Sequence, residues 1–280
     1  MVTKLSAYIR LMRLDRPVGI WLVLWPALWA LWLGAGGTPD PWTLFVFVMG
    51  AVLMRSAGCV INDYADRNFD PHVKRTCTRP IACGEVSPKE ALVLFALLIA
   101  LAFALVLTLN RETVLWSLGA FVLAALYPFT KRWTYWPQAF LGAAFAWAIP
   151  MGFAATRGEV PPEAWLLYAA TLVWALIYDT YYAMVDREDD IKIGVKSPAV
   201  LLGERVLQVV AVLQWVMILL LIFAGMAFGL GPWYFAAVLL AAAQFVWHQR
   251  LAASGRPFEA FLRNHWVAFT IWIGIALQLR

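Results

Sequence analysis

Acidic side chains are concentrated in one short stretch of an otherwise apolar chain. Residues 62–70 follow a long apolar run and contain three carboxylates. Asn62, Asp66 and Asp70 are each four residues apart, so on a helix they share one face. Carboxylates one turn apart repel each other, and a Mg²⁺ ion held by oxygen ligands relieves that repulsion. The alternative for this stretch alone is a solvated helix end.

A second acidic stretch repeats the spacing. Residues 179–190 also follow an apolar segment, and Asp186 and Asp190 are again four residues apart. Recurrence of the spacing at two segment ends favours a shared site over two solvated helix ends. Together the two acidic stretches predict two motifs that face each other and hold Mg²⁺ ions and a diphosphate.

The composition is that of a polytopic membrane protein. The chain has 280 residues, of which 63% are hydrophobic and only 14% charged, and its mean hydropathy is +0.73. We expect one integral domain over residues 1–280, with the first apolar segment retained as a span. The net charge of +5 lies in the loops and does not indicate nucleic-acid binding. The three cysteines and three histidines lack metal-binding spacing, so a zinc or haem site is not expected.

Nine apolar segments are long enough to be candidate spans. The third and fourth are separated only by Asn110 and Arg111, which predicts a tight antiparallel hairpin. The segments are 18–34, 42–60, 89–109, 112–129, 136–154, 163–183, 206–229, 233–251 and 264–279.

The basic residues predict the orientation. With the N-terminus in the cytoplasm and nine spans, all of the 22 Lys and Arg residues lie on the cytoplasmic side except Arg111, Arg157 and Arg280. This is a strong positive-inside bias, and it places both acidic stretches in the cytoplasm.

Basic residues also accompany both acidic stretches. Mixed carboxylates and cations suit a metal–diphosphate, in which the metal bridges oxygens and Lys or Arg neutralises the remaining charge. An apolar bundle behind such a rim suits an isoprenoid diphosphate. Each cation could instead serve only as a topological charge. The candidates are Arg16, Arg67, Lys74, Arg75, Arg79, Lys131, Arg132, Lys192 and Lys196.

The two stretches resemble the motifs of a known family. Residues 58–67, with Asp70 and 72–80, are similar to the first motif of the UbiA-type intramembrane aromatic prenyltransferases. Residues 178–197 are similar to the second motif, most closely in the branch that acts on 4-hydroxybenzoate. Residues 13–17 and 127–132 also fit the family. The loops depart from its pattern at Thr78, Ile81, Cys83 and Pro198.

The resemblance implies an all-α membrane protein with nine transmembrane helices around a central cavity. A cytoplasmic cap would carry the two aspartate-rich motifs, and the protein would lie in a bacterial inner membrane. The implied reaction transfers a polyprenyl group from polyprenyl diphosphate to the carbon ortho to the hydroxyl of 4-hydroxybenzoate, in ubiquinone biosynthesis. The implied Mg²⁺ ligands, which are also the main catalytic candidates, are Asn62, Asp66, Asp70, Asp186 and Asp190.

Three further residues are candidates for the chemistry. Tyr178 is expected to shield and stabilise an allylic cation through its ring face. Asp179 either orients and deprotonates the acceptor or pairs with a nearby arginine. Arg16 is a candidate for the acceptor carboxylate.

Other functions are weighed against this one. Relatives within the family use naphthoate, homogentisate or haem acceptors. A secondary transporter would place its carboxylates near the bilayer midplane in broken helices, whereas these lie at segment ends. The Asp-Gly and Ala-Arg pairs expected ahead of the aspartates in a CDP-alcohol phosphotransferase are not found.

Overall fold

The computed structural model describes residues 3–72, 76–130, 134–194 and 196–280. Within these ranges the regular structure is helical and contains no strand. The helices are α1 (Lys4–Leu11), α2 (Val18–Ala35), α3 (Pro41–Ala65), α4 (Pro88–Val106), α5 (Arg111–Thr130), α6 (Pro137–Ala146), α7 (Ala148–Arg157), α8 (Ala164–Ile193), α9 (Pro198–Leu202), α10 (Val206–Ala227), α11 (Pro232–Ala253), α12 (Pro257–Arg263) and α13 (His265–Gln278).

The long helices coincide with the nine predicted apolar segments. Six stretches in the described ranges are long and apolar enough to cross a membrane. The prediction of a multi-pass helical membrane protein is therefore confirmed. The six are Val18–Ala35, Pro41–Ala65, Pro88–Val106, Pro137–Arg157, Pro198–Ala227 and Pro257–Gln278.

The fifth predicted segment is broken into α6 and α7 at Trp147. Pro150 has no N–H to donate to the carbonyl four residues earlier, and its ring crowds that carbonyl, which belongs to Ala146. The indole Nε1 of Trp147 donates to the carbonyl of Trp116 in α5 at 2.8 Å. The break is thus held against the neighbouring helix.

The main core surrounds α2 and α8. Trp29 and Trp174 are fully buried, and Trp29 Nε1 donates to the carbonyl of Ala268 at 2.9 Å. Small residues let the helices approach closely, as is usual in membrane bundles. At Gly142 an added Cβ would lie 2.9 Å from the carbonyl oxygen of Leu172. This close approach packs α6 against α8.

A second, smaller core lies under the N-terminal helix. Ala7 and Leu11 of α1 pack with Ala57 and Val60 of α3 and with Ile81. Ion pairs hold the same helix against the start of α4 and the loop before it: Lys4 pairs with Glu90 in the first turn of α4 at 2.9 Å, and Arg10 pairs with Glu85 in the loop. Helix α1 and residues 76–87 are therefore both held beside the end of α3.

The α4–α5 connection differs from the predicted tight hairpin. The turn is short, but α4 packs mainly on α3, and α5 packs mainly on α6 and α7. The two helices leave an apolar groove between them, with walls that include Phe95 and Phe103 from α4 and Leu118 and Phe121 from α5. A short connection constrains the ends of two helices but not their packing partners.

Candidate functional site

The first acidic motif lies where α3 ends. The helix stops at Ala65, so Asp66 and Asp70 do not share a helical face as the spacing predicted. Pro71 disfavours the α-conformation at Asp70, and residues 70–72 form a single 3₁₀ turn. Backbone hydrogen bonds still join these residues at four-residue intervals. The Asp66 N–H donates to the Asn62 carbonyl and the Asp70 N–H to the Asp66 carbonyl, each at 2.9 Å.

Two arginines and two aspartates form a chain of ion pairs beside this turn. Arg13 Nη2 donates to both carboxylate oxygens of Asp63 at 3.0 Å. Arg79 Nη1 lies 3.1 Å from Asp63 Oδ1 and 3.0 Å from Asp70 Oδ2. The Asp63 side chain is only 3% exposed. We call this set, Arg13–Asp63–Arg79–Asp70, the ion chain.

Asp70 is buried at the outer end of the ion chain. Burial raises the pKa of the Asp70 carboxyl, and the charge and hydrogen bonds of Arg79 oppose that shift. Asp66 lies close enough to add a repulsive contribution. Asp70 thus depends on a nearby positive charge, which Arg79 supplies here.

Arg13 has an unusual backbone conformation, with φ of 57°. A non-glycine residue in this region is strained and needs compensating contacts. Arg13 Nη1 donates to the carbonyl of Arg10 at 2.7 Å, while Nη2 holds Asp63. The turn after α1 is therefore fixed by the same side chain that neutralises Asp63.

The second acidic motif lies on an unbroken helix, α8. Asp179, Asp186 and Asp190 are partly buried, and the more exposed Asp189 pairs with Lys192 at 3.6 Å. The two motifs approach each other at Arg79, because the Tyr182 phenol of α8 lies within electrostatic range of its guanidinium.

A half-enclosed cavity begins beside the first motif. It encloses about 220 Å³ of free space between α2, α3, α4, α5, α6 and α7. Arg55 and Asn62 form its polar part near the end of α3, and most of the other lining residues are apolar. Phe103 and Phe121 line both the cavity and the α4–α5 groove. The cavity therefore has a polar part and lies next to the apolar α4–α5 groove.

Gly19 makes room for Arg55 at the polar end. A Cβ at Gly19 would lie 2.2 Å from Arg55 Nε. The Arg55 guanidinium therefore occupies the space that the side chain of any residue other than glycine at position 19 would fill.

The remaining predicted site residues lie in varied surroundings. Arg16 is 82% exposed beside Asp15. Arg67 lies over the ring of Tyr64, 4.4 Å from its centroid, and Lys196 lies 5.6 Å from the ring centroid of Tyr135. Four further predicted diphosphate-binding residues are outside the described residues: Lys74, Arg75, Lys131 and Arg132.

Tyr178 lies in the packed core and not among the residues that line the cavity. Its ring meets Trp174 edge-on at 5.1 Å between centroids. In the described ranges no three His, Cys, Asp or Glu side chains are gathered into a metal-binding group. The predicted ligands lie on two elements, with Asn62, Asp66 and Asp70 at the end of α3 and Asp186 and Asp190 on α8.

Sequence reasoning missed Arg13, Asp63 and Arg55 as site residues. Arg55 carried a usable signal, because a charged residue within an apolar span is costly and is usually functional. Asp63 is outside the four-residue pattern, and Arg13 is fifty positions away from it along the chain. Only the folded structure brings these two together.

The fold and site define a class: an all-α membrane protein with a carboxylate- and arginine-rich site beside an apolar cavity. The UbiA prenyltransferase family model matches residues 23–273. The chain belongs to the UbiA prenyltransferase family.

Curated relatives are similar over nearly the full length. A protein of Hydrogenovibrio crunogenus named 4-hydroxybenzoate octaprenyltransferase is 57% identical, with 98% of each chain covered. One of the same name from Ectopseudomonas mendocina is 56% identical, with 97% of this chain and 93% of the relative covered.

Solved structures share the fold. The apo structure of a UbiA homologue from Aeropyrum pernix K1 has a TM-score of 0.82 and 27% identity, covering 93% of this chain and 98% of that one. A UbiA homologue from Archaeoglobus fulgidus, bound to GPP and Mg²⁺, has a TM-score of 0.72 and 21% identity, with 98% and 99% covered.

Proposed function

We propose that this protein transfers a polyprenyl group from polyprenyl diphosphate to the ring carbon ortho to the hydroxyl of 4-hydroxybenzoate, in ubiquinone biosynthesis. The observation that carries the proposal is the cavity, in which Arg55 and Asn62 form the polar part of a mostly apolar wall. A polyprenyl diphosphate has the same division, with a charged head and an apolar tail. Relatives that share more than half of the sequence bear this enzyme's name.

The residues of the two motifs suit Mg²⁺. Asn62, Asp66, Asp70, Asp186 and Asp190 offer amide and carboxylate oxygens, which are the ligands that Mg²⁺ prefers. Burial of Asp70 beside Asp66 creates a need for positive charge at this point. When bound, the metal would neutralise the diphosphate and make it a better leaving group.

Arginines supply the remaining positive charge. Arg79 and Arg55 are placed to neutralise diphosphate oxygens as charge builds up on the departing group. Lys74, Arg75, Lys131, Arg132, Lys192 and Lys196 remain proposed contacts, and Arg67 would have to leave Tyr64 to join them.

The cavity wall protects the reacting carbon. As the allylic C–O bond breaks, positive charge develops on carbon, and water would capture it. Apolar side chains exclude water, and the aromatic rings of Phe47 and Phe145 in the lining would stabilise the charge if their faces meet it. Tyr178 lies in the packed core behind this wall, and its proposed role is to stabilise the positive charge from there. The acceptor ring then attacks through the carbon ortho to its hydroxyl.

We propose that the acceptor binds at the polar end of the cavity. Asp179 is proposed to orient the hydroxyl or assist its deprotonation. Arg16 remains a candidate for the carboxylate and would reach it by moving from its exposed position.

The same proposal includes nine spans, a cytoplasmic cap and a bacterial inner-membrane location. The charge bias supports it, because only Arg111, Arg157 and Arg280 fall on the periplasmic side in this arrangement. A reporter fused after Arg280 should be periplasmic, and one inserted in the 76–86 loop cytoplasmic. A cytoplasmic reporter after Arg280 in an active protein would contradict nine spans.

A product assay tests the reaction. Purified protein in liposomes receives Mg²⁺, octaprenyl diphosphate and one acceptor: 4-hydroxybenzoate, a dihydroxynaphthoate or homogentisate. We expect the ortho-prenylated 4-hydroxybenzoate by mass spectrometry, with no product in EDTA. Product from another acceptor alone would reassign the substrate, and full activity in EDTA would refute the proposed role of the metal.

A further inference from the structure

The ion chain has a feature that the proposed reaction does not use. One nitrogen, Arg79 Nη1, is shared by two carboxylates, at 3.1 Å from Asp63 and 3.0 Å from Asp70. Asp70 is a proposed metal ligand, whereas Asp63 lies outside the four-residue pattern of the ligands.

The two carboxylates hold Arg79 unequally. Asp63 is 3% exposed and is fixed from its other side by Arg13, which contacts both of its oxygens at 3.0 Å. Asp70 lies beyond the end of α3, in a 3₁₀ turn. Both carboxylates are buried, but Asp63 lies within α3 and has a second arginine partner, so Asp63 is the more firmly fixed partner of Arg79.

A metal ion and Arg79 compete for Asp70. The Asp70 oxygens that would bind the metal accept hydrogen bonds from Arg79 Nη1, at 3.2 and 3.0 Å. Breaking an ion pair at a buried site is costly mainly because the remaining charge is left unpaired. Here Arg79 keeps Asp63 when Asp70 leaves, so that cost is avoided.

We propose that Asp63 is a positioning residue that retains Arg79 while Asp70 exchanges this arginine for the metal. Asp63 acts on metal binding through Arg79 and is not itself a ligand. The proposal rests on the proposed metal-binding role of Asp70. After the exchange, Arg79 remains beside the site, where it can face the diphosphate.

The experiment measures Mn²⁺ binding to the purified protein in detergent by the electron paramagnetic resonance signal of free Mn²⁺. Mn²⁺ shares the oxygen ligands and octahedral geometry of Mg²⁺. Asp63→Asn leaves Asp70 as the carboxylate partner of Arg79 among the described residues, so Mn²⁺ affinity should fall, on the order of tenfold for groups coupled in one network. Arg79→Gln removes the competitor, so affinity should rise.

A double-mutant cycle separates this mechanism from a direct effect of the Asp63 charge. In the Arg79→Gln background, Asp63→Asn should leave the Mn²⁺ affinity unchanged, because Asp63 then has no competitor to retain. If Asp63→Asn weakens binding equally in both backgrounds, Asp63 acts by its own charge or as a ligand, and the proposal is wrong.

A charge-balanced variant covers the risk that Asp63→Asn does not fold. Arg13→Gln combined with Asp63→Asn removes one cation and one anion, and it leaves the Arg79–Asp70 pair intact. We expect this variant to bind Mn²⁺ as weakly as Asp63→Asn does, with one sharp size-exclusion peak as the control for folding. An affinity equal to the parent's would show that net charge alone matters and would overturn the proposal.

The same measurement tests the proposed function separately. Failure of the parent to bind Mn²⁺ would refute the metal-binding role of the acidic motifs, and with it this inference. Normal Mn²⁺ binding with an additive cycle would refute the role of Asp63 alone.

Discussion

The two acidic motifs have the same four-residue spacing and very different surroundings. The first lies beyond the end of α3, where Asp63 and Asp70 are buried and joined by Arg79. The second lies on the unbroken helix α8, where Asp189 forms an ion pair with the largely exposed Lys192. Like spacing therefore does not imply like energetics: the first motif includes buried ion pairs, whereas the ion pair described in the second motif is exposed to solvent.

Removing the acidic groups should have the largest effect, and it should be similar in both regions. Asp66→Ala and Asp190→Ala should each lower turnover by about 10²–10³-fold or more, since each removes charge stabilisation from the leaving group. Product formation in liposomes measures this. Asp189→Asn is the matched control and should keep nearly full turnover. If Asp189→Asn loses as much turnover as Asp66→Ala and Asp190→Ala, the assignment of Asp66 and Asp190 as metal ligands, and of Asp189 as a surface carboxylate, is wrong.

The next effect should distinguish the regions by stability. Asp63→Asn removes the carboxylate that Arg13 and Arg79 share, and Arg79 keeps Asp70. The loss should cost about 1.5–3 kcal/mol, the value of hydrogen bonds to a charged group. In the second motif Asp189→Asn breaks an exposed pair worth about 0–1 kcal/mol. Thermal melting of both variants in one detergent makes the comparison. If the two variants melt at the same temperature, the buried ion pairs of the first motif do not stabilise the fold more than the exposed pair of the second.

A smaller effect should appear at the polar end of the cavity. Gly19→Ala would put a Cβ 2.2 Å from Arg55 Nε and displace the guanidinium. We expect kcat/KM to fall by about tenfold, less than the hundredfold that 1 Å of misplacement can cause, because the arginine can partly readjust. Gly231→Ala is the control, since it displaces the flexible end of Gln278 in the same way on another part of the protein. A loss of the same size in the control would assign the effect to packing.

The smallest effect should be the change in stability caused by Asp70→Asn. Arg79 keeps Asp63, so the variant should lose only about 1 kcal/mol without ligand, the value of one hydrogen bond, although it should be inactive. It should also gain less in melting temperature from Mg²⁺ plus a non-cleavable diphosphate analogue, since ligand stabilisation follows affinity. If the variant and the parent gain equally, Asp70 is not a metal ligand.

Much of the fold was predictable from hydropathy. The nine apolar segments coincide with helices, because burial of about 20 apolar residues in a bilayer leaves few alternatives. The end of α3 at Ala65 was not predicted from the aspartate spacing, although Pro71 was a visible signal for it. The break at Trp147 likewise follows from Pro150 and could have been predicted.

The side-chain partners in the site were much less predictable. Spacing identified Asp66 and Asp70, but the pairing of Asp70 with Arg79 depends on how residues 76–87 pack against α1 and α3. Arg13, which contacts Asp63 from fifty positions away, has a φ of 57° that its residue type does not predict. Such contacts depend on tertiary structure, and no local pattern encodes them.

The groove between α4 and α5 has a consequence for how prenyl chain length is chosen. The cavity, at about 220 Å³, is smaller than the 300–1,000 Å³ that encloses a drug-sized ligand, and an octaprenyl chain is much larger than such a ligand. Because Phe103 and Phe121 line both spaces, isoprene units that the cavity cannot hold have an apolar surface beside it, in the α4–α5 groove. We therefore expect the volume of the cavity to place no upper limit on the length of the prenyl chain in the product.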